Sequence, residues 1–418
     1  MERIKSIGNR ILIIILLSLV ILVLLAGCGT KENITFMAEI ESVSENNILV
    51  NTIDFETFDK ASVDISGAEY DFELTDGQII DVTILPEIRE SYPVQVTGVK
   101  LTLLEEAVGK VADYFPIKEN TKYIYEGYGN EFASFQVFTD YASENKVQKR
   151  VDNGGSVLVN VYEISDEKLV RKFFRGETYY RENFLEEQDE EQEILLMEPL
   201  KKGTSWKLLD GRQRSITGVN TEVETPMGKF KTVEVSTEGN DSITIDYYAK
   251  DIGLVKTIFQ TEGMEVSSSL KSIEENSSNI QSVQFYYPDE SGKIYYKTKQ
   301  VPFRTNDRTA NILEKAYKES VGETSGVVLT TNAAIKSLAL DDGNKVRLDL
   351  NSDFLTEMNA GAAFETAILQ CIANTFCHYY DAEELILTIE GKPYESGHII
   401  MQENEAIRAN YEGVFEKE

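Results

Sequence analysis

The chain has 418 residues, a formal net charge of −30 and three cysteines. Charge of that sign repels nucleic acid and anionic lipid head groups, and three cysteines cannot build a disulfide scaffold. At 42% hydrophobic and 10% aromatic the chain buries real cores, is not disordered, and is long enough for two or three domains.

Residues 1–28 read as an export signal. Arg3, Lys5 and Arg10 make a basic head, and Ile11 to Ala26 is apolar except for Ser18. As a helix this run spans ~24 Å, short of the ~30 Å hydrocarbon core of a membrane. It ends in Leu25-Ala26-Gly27-Cys28, which resembles the lipobox of bacterial lipoproteins. The resemblance implies cleavage at Leu25-Ala26-Gly27, a diacylglyceryl group on Cys28, and a chain anchored on the outer face of the cytoplasmic membrane. A thiol suits S-alkylation, and two acyl chains hold where one is marginal. Losing residues 1–27 takes the charge to −32, so the lipid and not charge would hold the protein at the membrane. The other reading is an uncleaved membrane helix in which Cys28 is incidental.

Residues 29–33 form a tether that extends only ~17 Å. Residues 34–105 then alternate as five or so short strands (ITFMAEIESV, ILVNTI, ASVDISGAEYDFEL, QIIDVTIL, YPVQVTGVKLTLL), which predicts a small β-barrel. The pattern resembles the small OB-like domain of exported Firmicute lipoproteins. It lacks the basic and aromatic face that such folds use for single-stranded nucleic acid, so a spacer is expected.

Residues 110–275 continue as strands with no convincing helix, ETYYRENF being one of them. Turn signals at Asn153-Gly154-Gly155, Asp210-Gly211 and Pro226-Met227-Gly228 predict an antiparallel meander, twisted into a sandwich or half-barrel. Six carboxylates between Glu186 and Glu193 suit either Ca²⁺ or, more simply, a solvated loop. The polar segment 276–280 reads as a linker.

Residues 281–402 change period. VQFYYP and KIYYKTKQV are strands, followed by a helix with Asn306 as its N-cap and Ala310, Leu313, Ala316 and Tyr317 on one face. Asp342-Gly343-Asn344 joins a hairpin, and a second helix from about Ala360 to Tyr379 buries Phe364, Ala367, Ile368, Cys371, Ile372 and Thr375. A last strand runs from Glu384 to Ile389, and the whole predicts a two-layer α+β sandwich followed by an acidic tail, 403–418. FYYPD, TANILEKAYKE, VRLDLNSDFL, IANTF, LILTIEGKP and Gly397-His398-Ile399 resemble, in order and spacing, the sporulation and spore germination domain called GerMN. The usual Val-Asn-Thr-Leu is here Ala373-Asn374-Thr375-Phe376. The resemblance implies assembly with envelope or sporulation proteins rather than catalysis. It places candidate interaction residues at Asn374, Thr375, Gly391, Gly397 and His398.

Nothing else points to chemistry. Cys377 and His378 diverge by ~100° on a helix, so at most one faces a common metal, and Cys371 and Cys377 point too far apart to pair. Asp349 to Asp353 mimics the start of a Ca²⁺ loop, but Phe354 replaces the needed Gly and Ala360 the needed Glu. No nucleophile elbow, phosphate loop or zinc-protease motif occurs. The expectation is a non-enzymatic envelope lipoprotein without cofactor or metal. The alternative is a carrier or sensor of a small hydrophobic ligand held in the central β domain.

Overall fold

The computed structural model describes residues 32–53, 55–105, 108–165, 167–319 and 326–417. Leu25-Ala26-Gly27 and Cys28 therefore lie outside the described residues, as does the apolar run before them. The chain divides into two compact units, Met1–Gly109 and Lys110–Glu418. The architecture is β-rich and multidomain, in the order expected: barrel, antiparallel meander, α+β domain.

In the first unit β1 (Ile34–Val43), β2 (Asn47–Thr52), β3 (Lys60–Asp64), β4 (Ile79–Ile84) and β5 (Val94–Glu105) close into a barrel in the order β1-β2-β3-β5-β4. Strict alternation drives closure. Phe36, Ala38 and Ile40 point inward from β1, Ile48 and Val50 from β2, and Ile80, Val82 and Ile84 from β4.

The second unit opens with a single 3₁₀ turn, Val111–Tyr114. It continues as β6 (Lys122–Tyr128), β7 (Phe135–Ala142), β8 (Lys146–Asp152), β9 (Val157–Ile164), β10 (Lys168–Arg175) and β11 (Glu193–Met197). Then come β12 (Ser205–Lys207), β13 (Gln213–Thr225), β14 (Gly228–Glu238), β15 (Ser242–Ala249), β16 (Gly253–Thr261) and β17 (Met264–Glu274). All twelve form one antiparallel sheet. Two six-stranded meanders meet where β6 pairs β17, which leaves β11 and β12 as the ends. Those ends meet through side chains. The Trp206 indole donates to the Ile194 carbonyl at 3.0 Å, and the Arg214 guanidinium donates to the same carbonyl at 2.7 Å and to Glu193 at 2.6 Å. The sheet thus curls until its edges are sealed without a backbone ladder, which removes an exposed edge.

ETYYRENF is not a strand, although it alternates like one. Side chains take the backbone groups that a neighbouring strand would have satisfied. The Arg150 guanidinium donates to the Thr178 and Tyr180 carbonyls, Gln148 bonds both the Glu182 carbonyl and the Phe184 N–H, and the Arg181 N–H donates to Tyr379 Oη. The segment becomes an irregular wedge between the curled sheet and the last domain. Arg181 within it is completely buried and donates to the carbonyls of Asp140, Arg304 and Asp307 and to Tyr141 Oη. The acidic run after it is exposed from Glu186 to Gln188, Lys146 pairs Glu186, and Glu193 enters β11.

The last domain has β18 (Asn279–Pro288), β19 (Ile294–Phe303), α1 (Thr309–Glu319), β20 (Ile335–Leu340), β21 (Lys345–Leu350), α2 (Asp353–Glu357), α3 (Ala362–Tyr380), β22 (Glu384–Ile389), β23 (Lys392–Pro393), β24 (Ala406–Arg408) and β25 (Phe415–Glu416). Helices pack on strands as expected for α+β, with the strands divided between two sheets. Helix α3 contacts β18 of one sheet and β21, β22 and β24 of the other. Seven consecutive residues, Cys371 to Cys377, are therefore buried, where a one-sided stripe was expected. Both cysteines are free thiols.

Two expectations fail for identifiable reasons. Asn306 is not an N-cap, since α1 starts at Thr309. Asn306 takes a left-handed conformation (φ 66°), and its Oδ1 accepts the Ala142 N–H of β7 at 2.9 Å. The described part of the expected acidic tail 403–418, residues 403–417, does not trail off. β24 pairs β22, and β25 pairs β19 in parallel, because each covers an edge that would otherwise be open.

Candidate functional site

The most organised polar cluster of the last domain is built on Glu365, in the first turn of α3 and 2% exposed. Its Oε1 accepts from Tyr394 Oη at 2.7 Å and from Ser396 Oγ, and its Oε2 lies 2.7 Å from His398 Nδ1. Ser396 Oγ in turn accepts the backbone N–H groups of His398 and Ile399, both at 3.0 Å. Burial pushes the Glu365 carboxyl up, but the hydrogen bonds from Ser396, His398 and Tyr394 outweigh it and hold the group below the usual carboxylate range. One buried anion thus buckles the turn 394–399 onto the helix.

Ser, His and Glu here do not form a nucleophilic triad. Ser396 and His398 both bond the same carboxylate, whereas a triad needs the base between nucleophile and acid. The Ser396 hydroxyl hydrogen is committed to Glu365. The arrangement orients a turn and leaves His398, Gly397 and Ile400 outward, Ile400 being 66% exposed.

The other expected site residues separate into two groups. Asn374 and Thr375 are 0% and 1% exposed and cannot meet a partner, which corrects their reading as interaction residues. Asn374 Nδ2 donates to the Asn410 carbonyl at 2.6 Å, and its Oδ1 accepts the Asn410 N–H at 2.8 Å. That reciprocal pair pins the C-terminal segment against α3. Thr375 Oγ1 accepts the Tyr286 N–H at 3.0 Å and lies 3.1 Å from Tyr317 Oη, so it satisfies the outer edge of β18. Gly391, by contrast, is exposed in the turn after β22, with φ 75° and its N–H on Asp349 Oδ1 at 2.8 Å. Gly391, Gly397 and His398 are the exposed members of the set.

Sequence reasoning missed Glu365, Tyr394 and Arg181. For Glu365 a signal exists. It shares a helical stripe with Ile368, Leu369 and Ile372, at i+3, i+4 and i+7, and a carboxylate on an apolar stripe demands a partner. Arg181 has no such signal, because nothing local distinguishes it from the exposed arginines.

The site and fold define an α+β domain with an enclosed helix, carried on a curled antiparallel sheet. Residues 284–395 match the family described as "Germane: Sporulation and spore germination". Among solved structures the chain is similar to the tandem GerMN domains of the Bacillus subtilis sporulation protein GerM (13% identity, 31% of this chain and 46% of that one, TM-score 0.24). It is also similar to the first GerMN domain of that protein (18%, 29% and 93%, 0.23). A third likeness is to an exported Bacteroides fragilis protein with a YmcC-like fold (14%, 38% and 98%, 0.25). The chain thus spans less than half of the tandem GerM structure. No curated protein matches it.

Proposed function

We propose that this protein is a lipid-anchored extracytoplasmic component of the cell envelope whose last domain docks onto another envelope protein during sporulation or germination. The family match of residues 284–395 supports the process. The observation that carries the docking role is the Glu365 clamp, which spends a buried carboxylate on holding an exposed turn in one shape. Gly397, His398 and the adjoining Ile400 are exposed on that turn, and Gly391 is exposed in the separate turn after β22. The anchor rests on the lipobox resemblance at Cys28, and residues 34–105 act as an OB-like spacer above it. The role is binding rather than catalysis, since the Ser396 hydroxyl and the His398 Nδ1 both engage Glu365 and orient the turn.

Site-specific photo-crosslinking in sporulating cells tests the docking surface. A photoreactive residue at Ile400 should capture one dominant protein, and the same residue at Ile53 of the barrel should not. Cys28→Ala should release the protein from the membrane fraction. Equal capture at both positions, or turnover of peptidoglycan or peptides by the purified protein, would overturn the reading.

The hydrophobic-carrier alternative gains little from the interior of the curled sheet. Tyr125 stacks on Phe135 at 4.5 Å there, and Arg171 and Arg214 both bond Glu193 at 2.6 Å.

A further inference from the structure

One sheet face of the last domain is a strip without charge. Every second residue of β18 from Ile280 to Tyr286 points outward, opposite Pro302, Gln300, Thr298 and Tyr296 of β19. The other face of β18, with Val283, Phe285 and Tyr287, is buried in the core. None of the outward residues is Asp, Glu, Lys, Arg or His, although 27% of the chain is charged. Ile280 is 60% exposed, Ser282, Thr298, Gln300 and Pro302 are exposed, and Gln284 and Tyr296 are half-buried. From Ile280 to Tyr286 the strip runs ~20 Å, at ~3.4 Å per residue.

Aromatic rings gather at one end of it. Around Tyr286 lie the rings of Tyr296 at 5.5 Å, Tyr411 at 5.7 Å and His378 at 6.2 Å. Tyr411 is 43% exposed and His378 is exposed beside it. The rest of the strip is amide and hydroxyl. Gln284 accepts Tyr286 Oη through its oxygen at 2.9 Å, and Gln300 donates to Ser282 Oγ at 3.4 Å. That leaves the Gln284 nitrogen to donate and the Gln300 oxygen to accept. Charges border the strip on its β19 side. Glu416 of β25 accepts Thr298 Oγ1 at 3.0 Å. Lys299 and Lys315 pair with Glu319 at 3.5 and 3.9 Å around a pocket of about 140 Å³ that Gln300 and Pro302 help to line.

The composition of the strip selects its partner. Without cations it offers nothing to an anionic polymer or lipid head group, which a net charge of −30 already repels. Protein interfaces are centred on an apolar core, whereas here Ile280 is the one large aliphatic side chain and stands at the end. Sugars match both halves of the strip. Their hydroxyls donate and accept as these amides do, and their apolar C–H faces stack on aromatic rings. We infer that this face binds a neutral polysaccharide strand, with sugar rings on Tyr296 and Tyr411 and sugar hydroxyls on Ser282, Gln284, Thr298 and Gln300. The strip shares no residue with the turn 394–399, so glycan binding and docking at that turn can fail separately.

Isothermal titration calorimetry of the full chain in lipid nanodiscs tests it, with chitohexaose as the probe. A galacturonic acid hexamer, an anionic chain of the same length, is the control. Chitohexaose should bind one per chain, and the galacturonate at least tenfold more weakly. Tyr411→Ala should weaken chitohexaose at least tenfold, while Tyr411→Phe, which keeps the ring, stays within threefold of wild type. Gln300→Ala, at an exposed position, should weaken it at least threefold. Chitohexaose should also slow nitration of Tyr411 in the unmutated protein, a readout that survives if the Ala variant fails to fold. No saturable binding, equal affinity in Tyr411→Ala, galacturonate binding as tight as chitohexaose, or unprotected Tyr411 would overturn the inference. So would a dimer in sedimentation velocity that Tyr411→Ala splits, since it would assign the face to a second copy of the chain.

Discussion

Asn120 and Thr305 exchange two hydrogen bonds across 185 residues of sequence: the Asn120 N–H donates to Thr305 Oγ1 at 2.7 Å, and the Thr305 N–H donates to Asn120 Oδ1 at 3.0 Å. The pair ties the approach to β6 to the loop before α1. Thr305 Oγ1 donates onward to the Thr139 carbonyl, and Asn306 beside it bonds both the Asp140 carbonyl and the Ala142 N–H. Sheet and last domain therefore share one polar joint. A double-mutant cycle with Asn120→Ala and Thr305→Val should give a coupling of about 1 kcal/mol in chemical denaturation. A cycle that closes with no coupling would show the two bonds to be incidental.

Arg181 sits deeper in the same joint. Its guanidinium satisfies three carbonyls and a tyrosine hydroxyl while packing 4.1 Å over the Tyr141 ring. Arg181→Met strips those acceptors of their donor and leaves the Asp140 carboxylate facing Arg150 alone. The expected loss is ~3–5 kcal/mol, and Arg181→Lys should not restore it because an ammonium cannot reach four acceptors in a plane. Trp206, the single tryptophan, reports the central sheet, and far-UV circular dichroism reports the whole chain. A loss below 1 kcal/mol in both signals would show the joint to be dispensable.

Glu365 makes stability depend on pH at the acid end. Its carboxyl is depressed in the folded state, so its contribution is fully present above the unfolded carboxylate pKa of about 4.3 and vanishes as pH falls through the lower folded value. Wild type should therefore lose stability below about pH 4.3 more steeply than Glu365→Gln. At pH 7 the variant should be weaker by ~1–3 kcal/mol, since Tyr394 and His398 lose a charged acceptor. Parallel pH profiles for the two proteins would contradict the clamp.

The C-terminal segment should behave as part of the fold. Asn374→Ala removes both bonds to Asn410, so the Asn410 amide should exchange with deuterium at least tenfold faster, with smaller changes in β22. Deleting residues 403–418 should uncover the β22 edge and promote self-association. A truncated protein as stable and monomeric as the whole would mean these strands add nothing.

Alternation and turn residues alone were enough to read the β-rich order of barrel, meander and α+β domain, because period and punctuation are local properties that survive any tertiary context. They also marked the hairpin at Asp342-Gly343-Asn344 and most of the stripe on α1. Tertiary structure decided everything that depends on who the neighbour is. ETYYRENF alternates like a strand but finds Arg150 and Gln148 in place of another backbone. Asn306 has the chemistry of a cap and spends it on Ala142. Asn374 and Thr375 lie on a helix whose sequence resembles a binding motif, yet two sheets enclose them. Periodicity states that a face is buried and a polar residue needs a partner. Only the packed chain supplies the partner, since desolvation and hydrogen-bond geometry act between residues far apart in sequence.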